Sequence, residues 1–290
     1  MTLWLERHVP KLVLAPSFAA ILLFVYGFIA WTGWISLTKS RLMPKYDIEG
    51  VQQYTRLFAA PRWDVAMNNL YIFGALFIVI AMVLGLGLAI LLDQKIRAEG
   101  VLRTIYLYPM ALSMIVTGTA WKWILNPGLG LEKVIQGWGF ENFKFDWLVN
   151  PDYAIYTIVI AAVWQSSGFV MALFLAGLRS VDTEIIKAAQ VDGIPTHRIY
   201  TAIIIPSMAP IFLSAFIVLS HLAIKSFDLV IAMTNGGPGY ATDLPATYMY
   251  AMAFSRGDLG QAASSAMIMM LVVFTIVVPY LYSELRTRND

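Results

Sequence analysis

Residues 184–193 read EIIKAAQVDG, a short mixed-charge stretch between two long apolar runs, 153–178 and 203–231. Asp182 or Ser180 can cap a helix there, because a short side-chain oxygen can accept from the free N–H groups of a first turn. Helical spacing runs through Ile185, Ile186, Ala189 and Val191. Gly193 supplies a stop and Pro195 follows it. A helix of about ten residues is near 15 Å long and is marginal in water without packing. Ala188 and Ala189 are expected to make one side flat, and small residues let another surface come close. Pattern alone leaves two readings: a docking element, or a helix lying on its own bundle or on lipid headgroups.

The rest of the chain says which solvent surrounds this stretch. Of 290 residues, 59% are hydrophobic and 13% charged, with mean hydropathy +0.69. A soluble domain carries roughly 25% charged residues, so the composition is that of a polytopic membrane protein. Net charge is +2, which is no footprint for nucleic acid. With no cysteine there are no disulfides, thiolate metal sites or Cys nucleophile. Six apolar segments, about 12–37, 69–92, 104–125, 153–178, 203–231 and 262–283, each approach the ~20 residues that cross a bilayer core. The expected fold is an all-α, six-span helical bundle in one domain, residues 1–290. The first segment is too long for the apolar region of a cleaved signal peptide and reads as a retained signal-anchor.

Orientation follows Lys and Arg. With the N-terminus inside, the short inner segments hold Arg7, Lys11, Lys95, Arg97, Arg103, Arg179, Lys187, Arg198, Arg286 and Arg288. The longer outer loops hold Lys39, Arg41, Lys45, Arg56, Arg62, Lys133, Lys144 and Arg256. Positive density favours both termini, and the 180–201 loop, in the cytoplasm.

Catalytic patterns are missing. There is no GxxxxGK[ST] to cradle ATP phosphates, no HExxH and no GxSxG. His8, His197 and His221 fall in three different segments. Energy for any work is therefore expected from a partner or a gradient.

The stretch EIIKAAQVDGIPTHRIYTAIIIP (184–206) resembles the signature loop of permease subunits of binding-protein-dependent ABC importers. That signature has a Glu-Ala-Ala core, then Asp-Gly, then a Pro thirteen residues after the Gly, and Gly193 and Pro206 keep that spacing. The resemblance extends through GVQQYTRLFAAPRWDVAMNNL (50–70), LRTIYLYP (102–109), AWKWILNPGLG (120–130) and WLVNPDYAIYTIVIAAVWQSSGFVMALFLAGLRSVDTE (147–184). FDLVIAMTNGGPGYATDLPATYMYAMAF (227–254) is similar to the carbohydrate-uptake branch, the maltose-type first permease. The resemblance implies a multi-pass subunit of a bacterial inner membrane that forms half of a sugar pathway. Its implied partners are a second homologous permease, two cytoplasmic ATPases and a periplasmic sugar-binding protein. Mg-ATP would sit in the ATPases, with no cofactor, metal or catalytic residue in this chain. ATP binding would close the ATPases, pull the loop's helix and rock the bundle outward.

By the same resemblance Glu184, Lys187, Ala188, Ala189, Asp192, Gly193 and Pro206 form the coupling element. Lys187 stands where the family has Glu, inverting the charge at the expected contact edge; Glu184 can pair with it at i,i+3. His197 replaces a common aromatic, and Tyr200 keeps the later aromatic position.

Candidate pathway groups come from the residues themselves. Ionisable groups inside spans are costly and often functional, which selects His221, Lys225 and Asp228. Lys225 and Asp228 also read as an interfacial pair that snorkels. Gln165, Ser166 and Ser167 offer neutral donors and acceptors suited to a hydroxyl-rich ligand, or to gluing helices together. Asn235, Gly236, Gly237, Pro238 and Gly239 form an ordered outer turn or a gate. Pro206 and Pro210 are expected to bend the start of the fifth segment. Two other cargoes, amino acids and polyamines, keep the same class. An ion-coupled secondary transporter would need a buried acid at mid-bilayer, and a membrane enzyme a polar cluster at one depth.

Overall fold

The computed structural model describes residues 2–94 and 96–287. Lys95, Arg288 and Asp290 lie outside the described residues. Along the chain run α1 (Thr2–Ile21), α2 (Gly27–Ile35), α3 (Gln52–Phe58), α4 (Pro61–Asp93), α5 (Glu99–Leu107), α6 (Met114–Ile124), α7 (Leu131–Gly137) and α8 (Ala154–Leu178). After them come α9 (Thr183–Val191), α10 (Thr196–Ile199), α11 (Ile205–Ser207), α12 (Ala209–Ile224), α13 (Asp228–Met233), α14 (Pro245–Tyr250) and α15 (Leu259–Thr287). No strand occurs among the described residues; one isolated bridge joins Thr38 and Ile48. The all-α expectation holds.

Among the described residues, four helical segments are long and apolar enough to cross a membrane: Val13–Ile35, Pro61–Asp93, Ala154–Leu178 and Leu259–Tyr280. Two bent pairs raise the number to six if each pair is one span. The segment expected as one straight run over 104–125 is instead Glu99–Ala111 and Met114–Ile124, bent by 100°. Pro109 tightens the end of the first half, and Ser113 opens the second by accepting from the Val116 amide at 3.3 Å. The segment expected over 203–231 is broken too. Thr196–Ser207 meets Ala209–Ile224 at 66°, between Pro206 and Pro210. Its helix stops at Ile224, and Asp228 starts the separate helix α13.

Two compact units divide the chain. In the first, Met1–Trp63 with Tyr248–Leu271, the Val13–Ile35 segment is almost wholly unburied, with Ile35 at its end the buried exception. The segment after α2 is pinned by polar contacts. Gln53 Nε2 donates to the Thr38 carbonyl at 3.1 Å, the Gly260 amide donates to the Ser40 carbonyl at 2.9 Å, and Ser36 and Tyr54 share a hydroxyl contact of 2.8 Å. Trp63 and Tyr248, both fully buried, meet edge to face at 5.2 Å.

The second unit, Asp64–Thr247 with Val272–Asp290, is organised around α8, the most buried of the four apolar segments. Helices in lipid gain no hydrophobic drive from one another, so they pack through small residues. A methyl on Gly85 of α4 would lie 2.6 Å from the Val170 side chain of α8, and one on Gly118 of α6 would lie 2.6 Å from Ala232 of α13. Gly168 lets α8 meet the backbone of Tyr106, and Gly177 makes room for Met208 and Ile211.

Candidate functional site

The loop between α8 and α10 is built from its caps. Asp182 accepts from the Glu184 amide at 2.9 Å and starts α9. At the other end Gly193 adopts φ +73°, its amide donates to the Gln190 carbonyl at 3.1 Å, and the Ile194 amide reaches back to Ala189 at 3.0 Å. Those two bonds form a Schellman stop, which needs a left-handed residue where Gly193 sits. Lys187 Nζ donates to Glu184 Oε1 at 2.9 Å, and both side chains are exposed.

The expected flat side of two alanines does not form. Ala189 is 5% exposed and faces inward, whereas Ala188 is exposed. Adjacent helical positions are about 100° apart, so both cannot face one surface. Ala188 instead joins Ile185, 51% exposed, and Val191, 87% exposed, in an outward apolar stripe bordered by Glu184, Lys187 and Asp192.

Sequence reasoning missed the stem of this loop. Tyr200 Oη donates to Asp93 Oδ2 at 2.9 Å and accepts from Gln94 Nε2 at 3.1 Å. Arg179 Nη2 donates to Glu99 Oε1 at 2.7 Å, and its Nε lies 3.7 Å from Asp93 Oδ1. Ends of α4, α5 and α8 and the chain leaving the loop thus meet in one polar cluster. The available signal was Asp93 itself, an acid ending a long apolar helix.

Of the candidate pathway groups, Gln165 and Ser166 are brought together with Ser113 and Leu222 around a cavity of about 310 Å³. Gln165 Nε2 donates to the Leu112 carbonyl at 2.8 Å at the break between α5 and α6, while its Oε1 is buried without a partner. Ser167 turns instead to a separate, apolar cavity of about 810 Å³ beside Trp121 and Trp164. His221, Lys225 and Asp228 are exposed and line neither cavity. The expected Lys225–Asp228 pair is not made among the described residues. Lys225 is the residue that ends α12 and Asp228 belongs to α13, so helical i,i+3 geometry does not apply.

The 234–244 stretch between α13 and α14 is an ordered loop. Asn235 has φ +54°, Gly236 +84° and Gly239 +61°. Thr242 Oγ1 meets Thr234 Oγ1 at 2.7 Å and donates to the Gly237 carbonyl at 2.9 Å. From α4, buried Asn69 donates through Nδ2 to the carbonyls of Ala241 and Asp243, both at 2.9 Å.

Residues 81–288 match the family described as binding-protein-dependent transport system inner membrane component. The chain belongs to this family. The matched region of this inner membrane component contains the 180–201 loop and its stem. A probable ABC transporter permease of Pyrococcus horikoshii is 39% identical, over 93% of this chain and 94% of that one. The xylose/arabinose import permease of Haloferax volcanii is 34% identical, over 92% and 85%. The trehalose/maltose permease of Thermococcus litoralis is 28% identical, over 95% and 93%. The fold is that of a bacterial ABC transporter chain involved in importing the acidic polysaccharide alginate, with TM-score 0.85, 19% identity and 99% coverage of both chains.

Proposed function

We propose that this inner membrane component is the permease subunit of an ABC sugar importer, forming half of the pathway and coupled to cytoplasmic ATPases through the 180–201 loop. The observation that carries the coupling is the loop itself: a capped nine-residue helix that presents an apolar stripe with charged edges. Such a helix gains little stability alone and suits a cleft in another protein. Sugar as cargo is supported by the relatives named for xylose/arabinose and trehalose/maltose import and by the uncharged groups Gln165, Ser166 and Ser113 around one cavity. The remaining partners are a second permease and a periplasmic binding protein. Both termini lie in the cytoplasm, as the density of Lys and Arg in the short loops favours. Hydrolysis takes place in the ATPases. The test is uptake of xylose, arabinose, maltose and trehalose by proteoliposomes holding the assembled complex. Uptake of at least one is expected to need both ATP inside and binding protein outside; uptake driven by an ion gradient alone overturns the proposal.

A further inference from the structure

The 180–201 loop leaves the bundle at Arg179 and returns at Tyr200, and both residues reach the same carboxylate, Asp93 at the end of α4. Between these feet the loop has little to hold it. In α9 only Ala189 is buried, so packing fixes the helix weakly and its stem fixes it more. The two feet differ in strength. Tyr200 is held by a hydrogen bond of 2.9 Å. Arg179 is held firmly by Glu99 at 2.7 Å and only by charge, at 3.7 Å, to Asp93.

From this geometry we infer that Asp93 is a positioning residue for coupling: through Tyr200 it fixes the returning foot of the loop to α4, so that displacement of α9 is passed to the bundle. The inference rests on the proposed coupling role of the loop. Stability alone does not account for the arrangement. A carboxylate at a helix C-terminus is opposed by the helix dipole, and partly exposed ion pairs add little. The physical consequence of the cluster is where the loop sits.

The experiment uses the assembled complex. This chain has no cysteine, so Gln190→Cys, with the partner subunits made cysteine-free, gives a single nitroxide site on α9 at an exposed residue outside the apolar stripe. Its mobility is recorded in the otherwise unaltered chain and with Asp93→Ala, Asp93→Asn, Tyr200→Phe and the Asp93→Ala/Tyr200→Phe double change. ATP hydrolysis is measured alone and with binding protein carrying whichever tested sugar is transported. Asp93→Ala and Tyr200→Phe are expected to mobilise the label. Each should lower stimulated hydrolysis about three- to tenfold, the size given by losing one charge-assisted contact, with basal hydrolysis kept. The double change should add little to either single one. Asp93→Asn, whose amide oxygen still accepts from Tyr200, should be milder. An unchanged label in Asp93→Ala overturns the inference, as does a mobile label with full stimulation. If Gly193→Val abolishes stimulation while Asp93→Ala is silent, the inference alone fails. If both are silent, the coupling role of the loop fails with it.

Discussion

The backbone of Gly168 in α8 lies so close to the Tyr106 carbonyl that a methyl group on Gly168 would overlap that oxygen. The contact joins α8 to the helix just before the 100° break, so the broken pair can lie against α8 only if position 168 has no side chain. Gly168→Ala should therefore shift Tyr106 and cost about 1–3 kcal/mol, as overpacking does. Thermal unfolding in detergent measures it. A melting temperature equal to that of the unaltered chain would show that the backbones do not meet there.

Much of the fold was legible because hydropathy and length report spans directly, and all six expected segments overlap helical ones. The two breaks were not. The stretch LYPMALSM, 107–114, is apolar but for Ser113 and the Tyr108 hydroxyl, and hydropathy cannot separate a straight helix from two halves of one. The local signals were there, in Pro109 and in Ser113, but they are weak against so uniform a background. The loop helix was legible in its caps, since Asp182 and Gly193 act within a few residues of themselves. Its stem was not, because Tyr200 and Asp93 are 107 positions apart and no local pattern links them. Ala188 and Ala189 were misassigned to one face by adjacency, which in a helix separates residues.

Asn69 should be the anchor of the 234–244 loop. Its amide donates to the carbonyls of Ala241 and Asp243 together, and removing it takes away both bonds. Asn69→Ala is expected to cost about 1–3 kcal/mol, the size of two lost buried hydrogen bonds. It should also raise hydrogen exchange across 234–244 while leaving α9 unchanged. Unaltered exchange in that loop would count against the tie.

Tyr248 offers a pH test in the segment between the last two spans. Its hydroxyl is buried without a partner, and Arg62 sits over its ring at 5.9 Å. Burial pushes the phenol up from 10.0 to about 12, outweighing the pull of Arg256 and Arg62. Between those values the folded chain holds a proton that the unfolded chain releases, so stability falls as pH rises above 10.0. Tyr248→Phe removes the stranded hydroxyl and should be neutral or gain up to about 1 kcal/mol. Melts taken below and above pH 10.0 should show its advantage growing with pH. A constant difference would contradict the burial of the phenol.

Gly193 and Lys187 should respond in opposite ways. At Gly193 a side chain meets open space, so its cost is backbone strain at φ +73° and not collision. Gly193→Ala should cost about 1 kcal/mol, and Gly193→Val more, of order 1–3 kcal/mol, because β-branching crowds the left-handed region. Either change loosens the two bonds that stop α9 and turns Ile185, Ala188 and Val191 away from the proposed ATPase cleft. Stimulated ATP hydrolysis should drop in that order, Ala less than Val, and the ATPase should co-purify less well. Lys187→Glu replaces an exposed pair worth a few tenths of a kcal/mol with a like-charge neighbour of Glu184, so α9 itself should survive. If the ATPase cleft carries an acid opposite Lys187, stimulation falls and rises again when that acid is neutralised. If it carries none, Lys187→Glu is silent while Gly193→Val still uncouples. Retention of stimulation and of the bound ATPase in Gly193→Val would mean that α9 is a surface helix and that the drive enters the bundle elsewhere.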